Sequence, residues 1–259
     1  MQSHLFKKDT TITTKLLFAI IAGFSAGSTI LRQDDSGPSR ERMVYIVGFV
    51  KPGPQWRADR NAGLTKLLQG HQKYLEWLTE KEKVVAAGTV ESDSLRGVVI
   101  MKVDSLDEAK KLLERDPTIQ SGHYRIEWFS WWGPAGLGEE YLARVKSFPD
   151  AVPDTVHYQL AILRKGGGTT GSTEPDPEFV QRQHKAYVAK LFKDGDLVAI
   201  GSFASSKKLI GLFVFKTSPE NARILVANDP SVKAGRIAVD LFSWSLPKGV
   251  LPTRRSSKQ

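Results

Sequence analysis

The chain has 259 residues, of which 41% are hydrophobic and 25% charged, and its formal net charge is +9. This length accommodates one large globular domain or two ordinary ones. Because the chain has no cysteine, disulfides, thiolate zinc sites, iron–sulfur clusters and cysteine nucleophiles are excluded. Basic residues are scattered among acidic ones, so the charge indicates no nucleic-acid partner.

The N-terminal segment has the pattern of an export signal. Lysines at positions 7, 8 and 15 precede an apolar run from Leu16 to Leu31, with Ala26 and Ser28 spaced for cleavage after Ser28. We therefore expect a signal peptide at 1–28, a linker at 29–42 and a mature protein that is periplasmic or secreted. The apolar run is shorter than the roughly twenty residues that cross a bilayer. An uncleaved N-terminal anchor is the alternative, and it is the only membrane attachment that we expect.

The segment 43–137 alternates strand and helix patterns. Apolar residues recur at spacings of three and four from Leu64 to Leu78, which predicts an amphipathic helix. A second helix is predicted to stop at Asp116-Pro117, because proline cannot continue a helix. The predicted order is strand Met43–Val50, helix Leu64–Leu78, strands Val84–Val90 and Val98–Val103, helix Leu106–Arg115 and strand Tyr124–Trp131.

The segment 156–251 repeats this pattern at a displacement of 113 residues, after a linker at 138–155 and before a basic tail at 252–259. A constant offset over a domain length indicates one duplicated fold unit. The matched residues include His71 and His184, Tyr74 and Tyr187, Gly88 and Gly201, Asp116 and Asp229, and Trp131 and Trp244.

The element order β-α-β-β-α-β occurs twice, which predicts an α+β protein built from two ferredoxin-like domains in tandem. In such a unit both helices cover one face of a four-stranded antiparallel sheet, and the other face stays bare. A second copy of the unit is the available cover for that face. We therefore predict an intramolecular pseudo-dimer, in which the two sheets pack face to face or merge into one barrel.

With these elements placed, the pattern resembles the YCII-related family of the dimeric α/β barrel superfamily. The resemblance rests on His-x-x-Tyr in the first helix, on a glycine that ends the second strand, and on Asp-Pro followed by a glycine. Both segments carry all of these features. The resemblance implies a catalytic His/Asp pair in a pocket of each half, which maps onto His71 with Asp116 and onto His184 with Asp229. Through the wider superfamily, the resemblance relates the chain to cofactor-independent oxygenases, isomerases, dehydrochlorinase-like enzymes and heme enzymes.

Each histidine precedes its aspartate by 45 residues. A carboxylate that accepts from one imidazole nitrogen fixes the tautomer and leaves the other nitrogen to act as a base. The structural alternative is that the histidine is a core residue and the aspartate a turn former or helix cap. Tyr74 and Tyr187, one helical turn further on, are substrate-binding candidates or packing residues. Gly88 and Gly201 are further substrate-binding candidates.

Three functions remain open at this point. The leading hypothesis is a small-molecule pocket in each half that performs acid–base proton transfer on an aromatic or enolisable substrate, without a cofactor, as in a lyase or isomerase. The second is a non-catalytic ligand-binding or structural protein of the cell envelope. The third, heme binding, needs an axial histidine facing a large cavity. We expect no metal site, because the histidines lack third and fourth ligands.

Overall fold

The computed structural model describes residues 41–59, 61–148, 151–168, 176–204 and 206–252. All of them belong to one compact unit, Asp34–Gln259. The predicted signal peptide, residues 29–40 of the predicted linker and residues 253–259 of the predicted tail lie outside the described residues.

The first half contains the strands and helices predicted for it. It also contains two helices that were not predicted, one directly after Asp116 and one after the last strand. The elements are β1 (Arg42–Pro52), α1 (Ala62–Glu80), β2 (Val84–Val90), β3 (Gly97–Met101), α2 (Leu106–Leu113), α3 (Pro117–Gln120) and β4 (Tyr124–Pro134). An additional helix, α4 (Glu139–Ser147), occupies part of the predicted linker.

The second half repeats this order. Its elements are β5 (Thr155–Lys165), α5 (Pro177–Asp194), β6 (Leu197–Ala204), β7 (Leu209–Phe215), α6 (Pro219–Asn228), α7 (Pro230–Lys233) and β8 (Ile237–Pro247). None of the helices in the described part of the chain combines the length and apolar character that a membrane crossing requires.

Each Asp-Pro step both ends one helix and begins another. Asp116 is the N-cap of α3, and its side chain accepts from the backbone N–H of Thr118; Asp229 caps α7 in the same way through Ser231. Proline then occupies the start of the helix, where its missing N–H is not needed. The aspartates are therefore fixed at the N-termini of one-turn helices.

All eight strands form one closed antiparallel barrel in the order β1-β3-β2-β8-β5-β7-β6-β4. Of the two arrangements left open by the sequence, the merged barrel is the one observed. Each half contributes four neighbouring strands, and the halves join where β4 pairs with β6 and where β2 pairs with β8. A shared apolar core fills the barrel, while a separate cluster in each half packs the helices onto the outside of the sheet.

A glycine and a tryptophan meet at each of these two joins. A Cβ built at Gly88 would lie 2.7 Å from Trp244 Nε1, and one built at Gly201 would lie 2.5 Å from Trp131 Nε1. Both tryptophans are 1% exposed. The absence of a side chain at each glycine lets an indole of the other half pack directly on the strand.

Candidate functional site

The candidate site of the first half is centred on His71 and Asp116. His71 Nδ1 lies 2.6 Å from Asp116 Oδ2, so the ring is hydrogen bonded to the carboxylate. The other oxygen, Oδ1, accepts from the backbone N–H of Thr118 at 2.8 Å and from its hydroxyl at 2.6 Å. The carboxylate is fully buried, whereas the His71 side chain is 24% exposed.

The second half contains the equivalent pair in a different environment. His184 Nδ1 lies 2.8 Å from both oxygens of Asp229, and the backbone N–H of Ser231 donates to Oδ1. The imidazole lies nearly parallel to the Phe213 ring, with centroids 6.3 Å apart. The His184 side chain is only 3% exposed. A buried ring of this kind has little access to a substrate, in contrast to His71.

Local structure explains both contacts. The histidines lie on the long first helix of each half, α1 or α5, and the aspartates cap the short helices α3 and α7. Contacts between α1 and α3 and between α5 and α7 bring the cap beside the histidine. The paired aspartate therefore orients the imidazole while its own helix orients the carboxylate.

A group of aromatic side chains lies beside His71. The Tyr124 ring is in edge contact with His71, at 6.0 Å between centroids, and Trp56 stacks on Tyr124 at 5.6 Å. Trp56 also lies against His123, at 4.6 Å. The equivalents of His123 and Tyr124 in the second half are Arg236 and Ile237. The segment after β1 thus contributes a wall beside His71, because Trp56 packs inward from it.

Arg96 brings a positive charge to the same group of residues. Its guanidinium lies over Trp56 at 4.6 Å from the ring centroid, and it is hydrogen bonded to the Tyr124 side chain. One amino group also donates to the carbonyl of Ser92 at 2.8 Å. The buried Nε has no hydrogen-bond partner among the described residues.

Burial sets the protonation of two neighbouring groups. Burial raises the pKa of Tyr124, and the nearby Arg96 guanidinium opposes this shift without reversing it. The phenol therefore stays protonated at neutral pH and can donate. Burial also lowers the pKa of His123, and the nearby Arg96 charge adds to this shift, although the Gln55 backbone carbonyl opposes it.

The remaining predicted site residues make structural contacts. The hydroxyl of Tyr74 donates to the Leu112 carbonyl at 2.6 Å, and that of Tyr187 to the Leu225 carbonyl at 2.9 Å. These bonds tie α1 to α2 and α5 to α6. Gly88 and Gly201 lie at the joins between the halves, where Trp244 and Trp131 pack on them. The substrate-binding roles of these four residues stay predictions.

The described residues place no group of three or more His, Asp or Glu side chains where they could hold a metal ion. The residues that the sequence reasoning missed are Arg96, Trp56 and Tyr124. They are not among the residues that both halves share. A signal was present in the sequence, since His123 and Tyr124 are replaced by Arg236 and Ile237 at otherwise matched positions.

Comparison with known proteins supports the family resemblance in the first half. A heme-binding protein from Thermus thermophilus is 14% identical with a TM-score of 0.49, over 82% of this chain and 94% of that one. A siroheme decarboxylase is 10% identical with a TM-score of 0.38, over 80% and 74%. No curated protein sequence matches the chain significantly. Residues 55–129 match the family model of the YCII-related domain.

Proposed function

We propose that the first half is a cofactor-independent proton-transfer site for a small aromatic anion with an enolisable carbon. The observation that carries this proposal is the difference between the two His/Asp pairs: His71 is 24% exposed, while His184 is 3% exposed. Both are held by a carboxylate, but His71 has a face toward solvent whereas His184 is buried.

The proton-transfer role rests on the tautomer that Asp116 imposes. Nδ1 carries the proton that is donated to the carboxylate at 2.6 Å. Nε2 is then the basic nitrogen, and it can take a proton from a carbon next to a carbonyl group. The electron pair of the broken C–H bond forms an enolate, and the proton returns from Nε2 to the same or a neighbouring carbon.

The charge and aromatic neighbours define the substrate class. An enolate places negative charge on oxygen, and the Arg96 guanidinium and the protonated Tyr124 are the donors available to stabilise it. Trp56 and Tyr124, stacked at 5.6 Å, offer aromatic surface for the body of the substrate. An aromatic 2-oxo acid combines these properties.

We propose that His184 and Asp229 have a structural role instead. The Nδ1–H of the buried imidazole is satisfied by Asp229 at 2.8 Å, and the ring packs on Phe213. The hydrogen bond between His184 and Asp229 therefore joins α5 to the start of α7 and satisfies a buried polar group.

Deuterium exchange tests this function without knowledge of the complete reaction. Phenylpyruvate in D₂O is followed by proton NMR, and the wild-type protein should accelerate loss of the methylene signal above the buffer rate. The His71→Gln variant should lose about 100-fold or more of that acceleration. The matched His184→Gln variant should keep it if it folds. Equal exchange by wild type and H71Q would contradict the proposal, and binding of phenylpyruvate without exchange would favour a non-catalytic binding protein.

We also propose that the barrel is an intramolecular pseudo-dimer of two ferredoxin-like units, the second being a further YCII-like domain at 156–251. The strand order within each half supports this, since β4-β1-β3-β2 corresponds to β8-β5-β7-β6. The two joins also correspond, because β4 with β6 and β8 with β2 are equivalent pairs.

Export remains a proposal that rests on the sequence of residues 1–28. Cell fractionation and mass spectrometry of the mature N-terminus test it. A full-length chain that is found only in the cytosol would contradict it.

A further inference from the structure

A cavity opens at one mouth of the barrel, with a volume of about 490 Å³. None of its lining residues belongs to either His/Asp pair. Both halves contribute to it, because β1 and β4 line one side and β5 and β8 the other. The cavity is therefore independent of the proton-transfer site proposed above.

The floor of this cavity is apolar. Phe49 and Phe129 lie with ring centroids 5.2 Å apart, and Phe242 and Ile162 line the opposite side. These side chains continue the shared core of the barrel up to the opening. An apolar body inserted here would remove both its own surface and this floor from water.

The rim of the cavity carries an excess of positive charge. Lys51 is paired with Glu127, and Arg164 with Asp240 through two hydrogen bonds of 2.6 and 2.7 Å, so these four charges cancel. The cations that remain on the rim are Lys207 and Lys208, at the turn between β6 and β7.

Both of these lysines are exposed, and no ion pair within the described residues uses either side chain. An apolar floor beneath two uncompensated cations complements a molecule with an apolar body and an anionic head. The ion pairs on either side leave the head one preferred position, at the turn that carries the lysines.

We propose that the barrel mouth binds an amphipathic organic anion, a fatty carboxylate, with its chain over Phe49, Phe129 and Phe242 and its carboxylate at Lys207 and Lys208. This is a binding site and not a second reaction centre, because its carboxylates, Glu127 and Asp240, are held in ion pairs with Lys51 and Arg164.

Titration of the full chain with dodecanoate tests the proposal, with displacement of 8-anilinonaphthalene-1-sulfonate fluorescence as the readout. Wild type should bind both compounds at one competitive site. The Lys207→Gln/Lys208→Gln variant should bind dodecanoate about three- to tenfold more weakly, because two partly screened charge interactions are lost. The control variant Lys110→Gln/Lys111→Gln changes the net charge equally on the exposed side of α2 and should bind like wild type.

A second variant, Ser206→Trp, places a bulky ring on the lining and should abolish competition without any change of charge. Circular dichroism confirms that each variant is folded. Absence of dodecanoate binding to wild type, or equal affinity in wild type and the K207Q/K208Q variant, would overturn the proposal. The H71Q variant should bind dodecanoate normally, which separates this site from the proposed function.

Discussion

At the residue scale, the two carboxylates are held alike but their histidines are not. Asp116 accepts from His71 and from both donor groups of Thr118, and Asp229 accepts from His184 and from the backbone of Ser231. The His71 ring is partly exposed and can exchange a proton, whereas the His184 ring is buried and only satisfies Asp229. The same hydrogen bond therefore has different consequences in the two halves.

We predict that the buried pair contributes more to stability than the exposed one. Replacing Asp229 by alanine leaves the buried His184 N–H without its acceptor, which should lower the free energy of unfolding by about 1–3 kcal/mol. A double-mutant cycle with His184→Ala and Asp229→Ala, measured by urea denaturation, should give a larger coupling energy than the cycle with His71→Ala and Asp116→Ala. Equal coupling in the two pairs would contradict the structural role of His184.

We also predict a pH dependence that belongs to His123. Burial holds the pKa of its ring below the ordinary value of about 6.5, so the unfolded state takes up a proton first as the pH falls. The folded protein should therefore lose stability as the pH is lowered from about 6.5 toward the folded pKa, and this residue adds no further loss below that pKa. Denaturation at pH values from about 7 to 5 should give a shallower decline for His123→Phe than for wild type. His157→Asn, at an exposed histidine, is the control and should not change the slope.

The family resemblance implied that each histidine meets its aspartate, and local structure explains the contact, because both residues sit at positions that it fixes: a helix face and a helix cap. Arg96 could not be placed this way. Its position beside Tyr124 and Trp56 depends on how the turn between β2 and β3 lies over the loop after β1, which no local pattern encodes.

At the element scale, the glycines retained in both halves are explained by strand pairing. Gly88 lies where β2 meets β8, and Gly201 where β4 meets β6. Their matched positions made these glycines substrate-binding candidates, but each one packs against an indole. Packing alone explains a glycine at each of the two joins, because an indole lies against each one.

We predict that alanine at either glycine destabilises the fold. The added Cβ of Gly88→Ala would collide with the Ser245 carbonyl and lie 2.7 Å from Trp244 Nε1, which should lower the free energy of unfolding by about 1–3 kcal/mol. Gly201→Ala should behave similarly against Trp131. Gly167→Ala is the matched control, because nothing lies within 4 Å of its added Cβ. Thermal and urea denaturation compare the stability of the three variants with that of the wild type. If G88A were as stable as the wild type, the close packing at Gly88 would not contribute to stability.

Strands and long helices were predictable from hydrophobic periodicity, but two kinds of short element were not. The one-turn helices α3 and α7 follow the Asp-Pro steps, which predicted only helix stops. Helix α4 lies in the predicted linker, and its termini are marked only by charge, with Glu139 and Glu140 in the first turn and Arg144 and Lys146 in the last. Because α4 has no buried residue, it presents no buried apolar stripe from which a helix could be predicted. A charge pattern over nine residues is a weaker signal.

At the scale of the whole molecule, the two halves are one folding unit held by two strand pairs and a common core. The core includes Tyr45, Trp131, Leu160 and Trp244, which come from both halves. The sequence predicted that two sheets cover each other but left face-to-face packing and a merged barrel open. Periodicity shows which side of a strand is apolar, whereas closure depends on pairing at the strand edges.

We predict that the halves stay together when the chain between them is cut. A protease recognition sequence inserted after Val152, which is 89% exposed, gives a cleavable protein. After cleavage the two fragments should elute together at the size of the intact chain, because the β4–β6 and β2–β8 pairs and the barrel core remain. Unfolding in urea followed by gel filtration is the control that separates them. Fragments that separate under native conditions would contradict the shared core.

The difference between the His71 and His184 sites is the central claim, and carbethoxylation of histidines measures it directly. Diethyl pyrocarbonate modifies accessible neutral imidazole nitrogen, and mass spectrometry locates the product on each histidine. His71, at 24% exposure, should be modified at a rate of the same order as exposed His157, whereas His184, at 3%, should react only when the protein unfolds. Preincubation with phenylpyruvate should protect His71 and leave His157 unchanged. Equal rates at His71 and His184 in the folded protein would contradict the account.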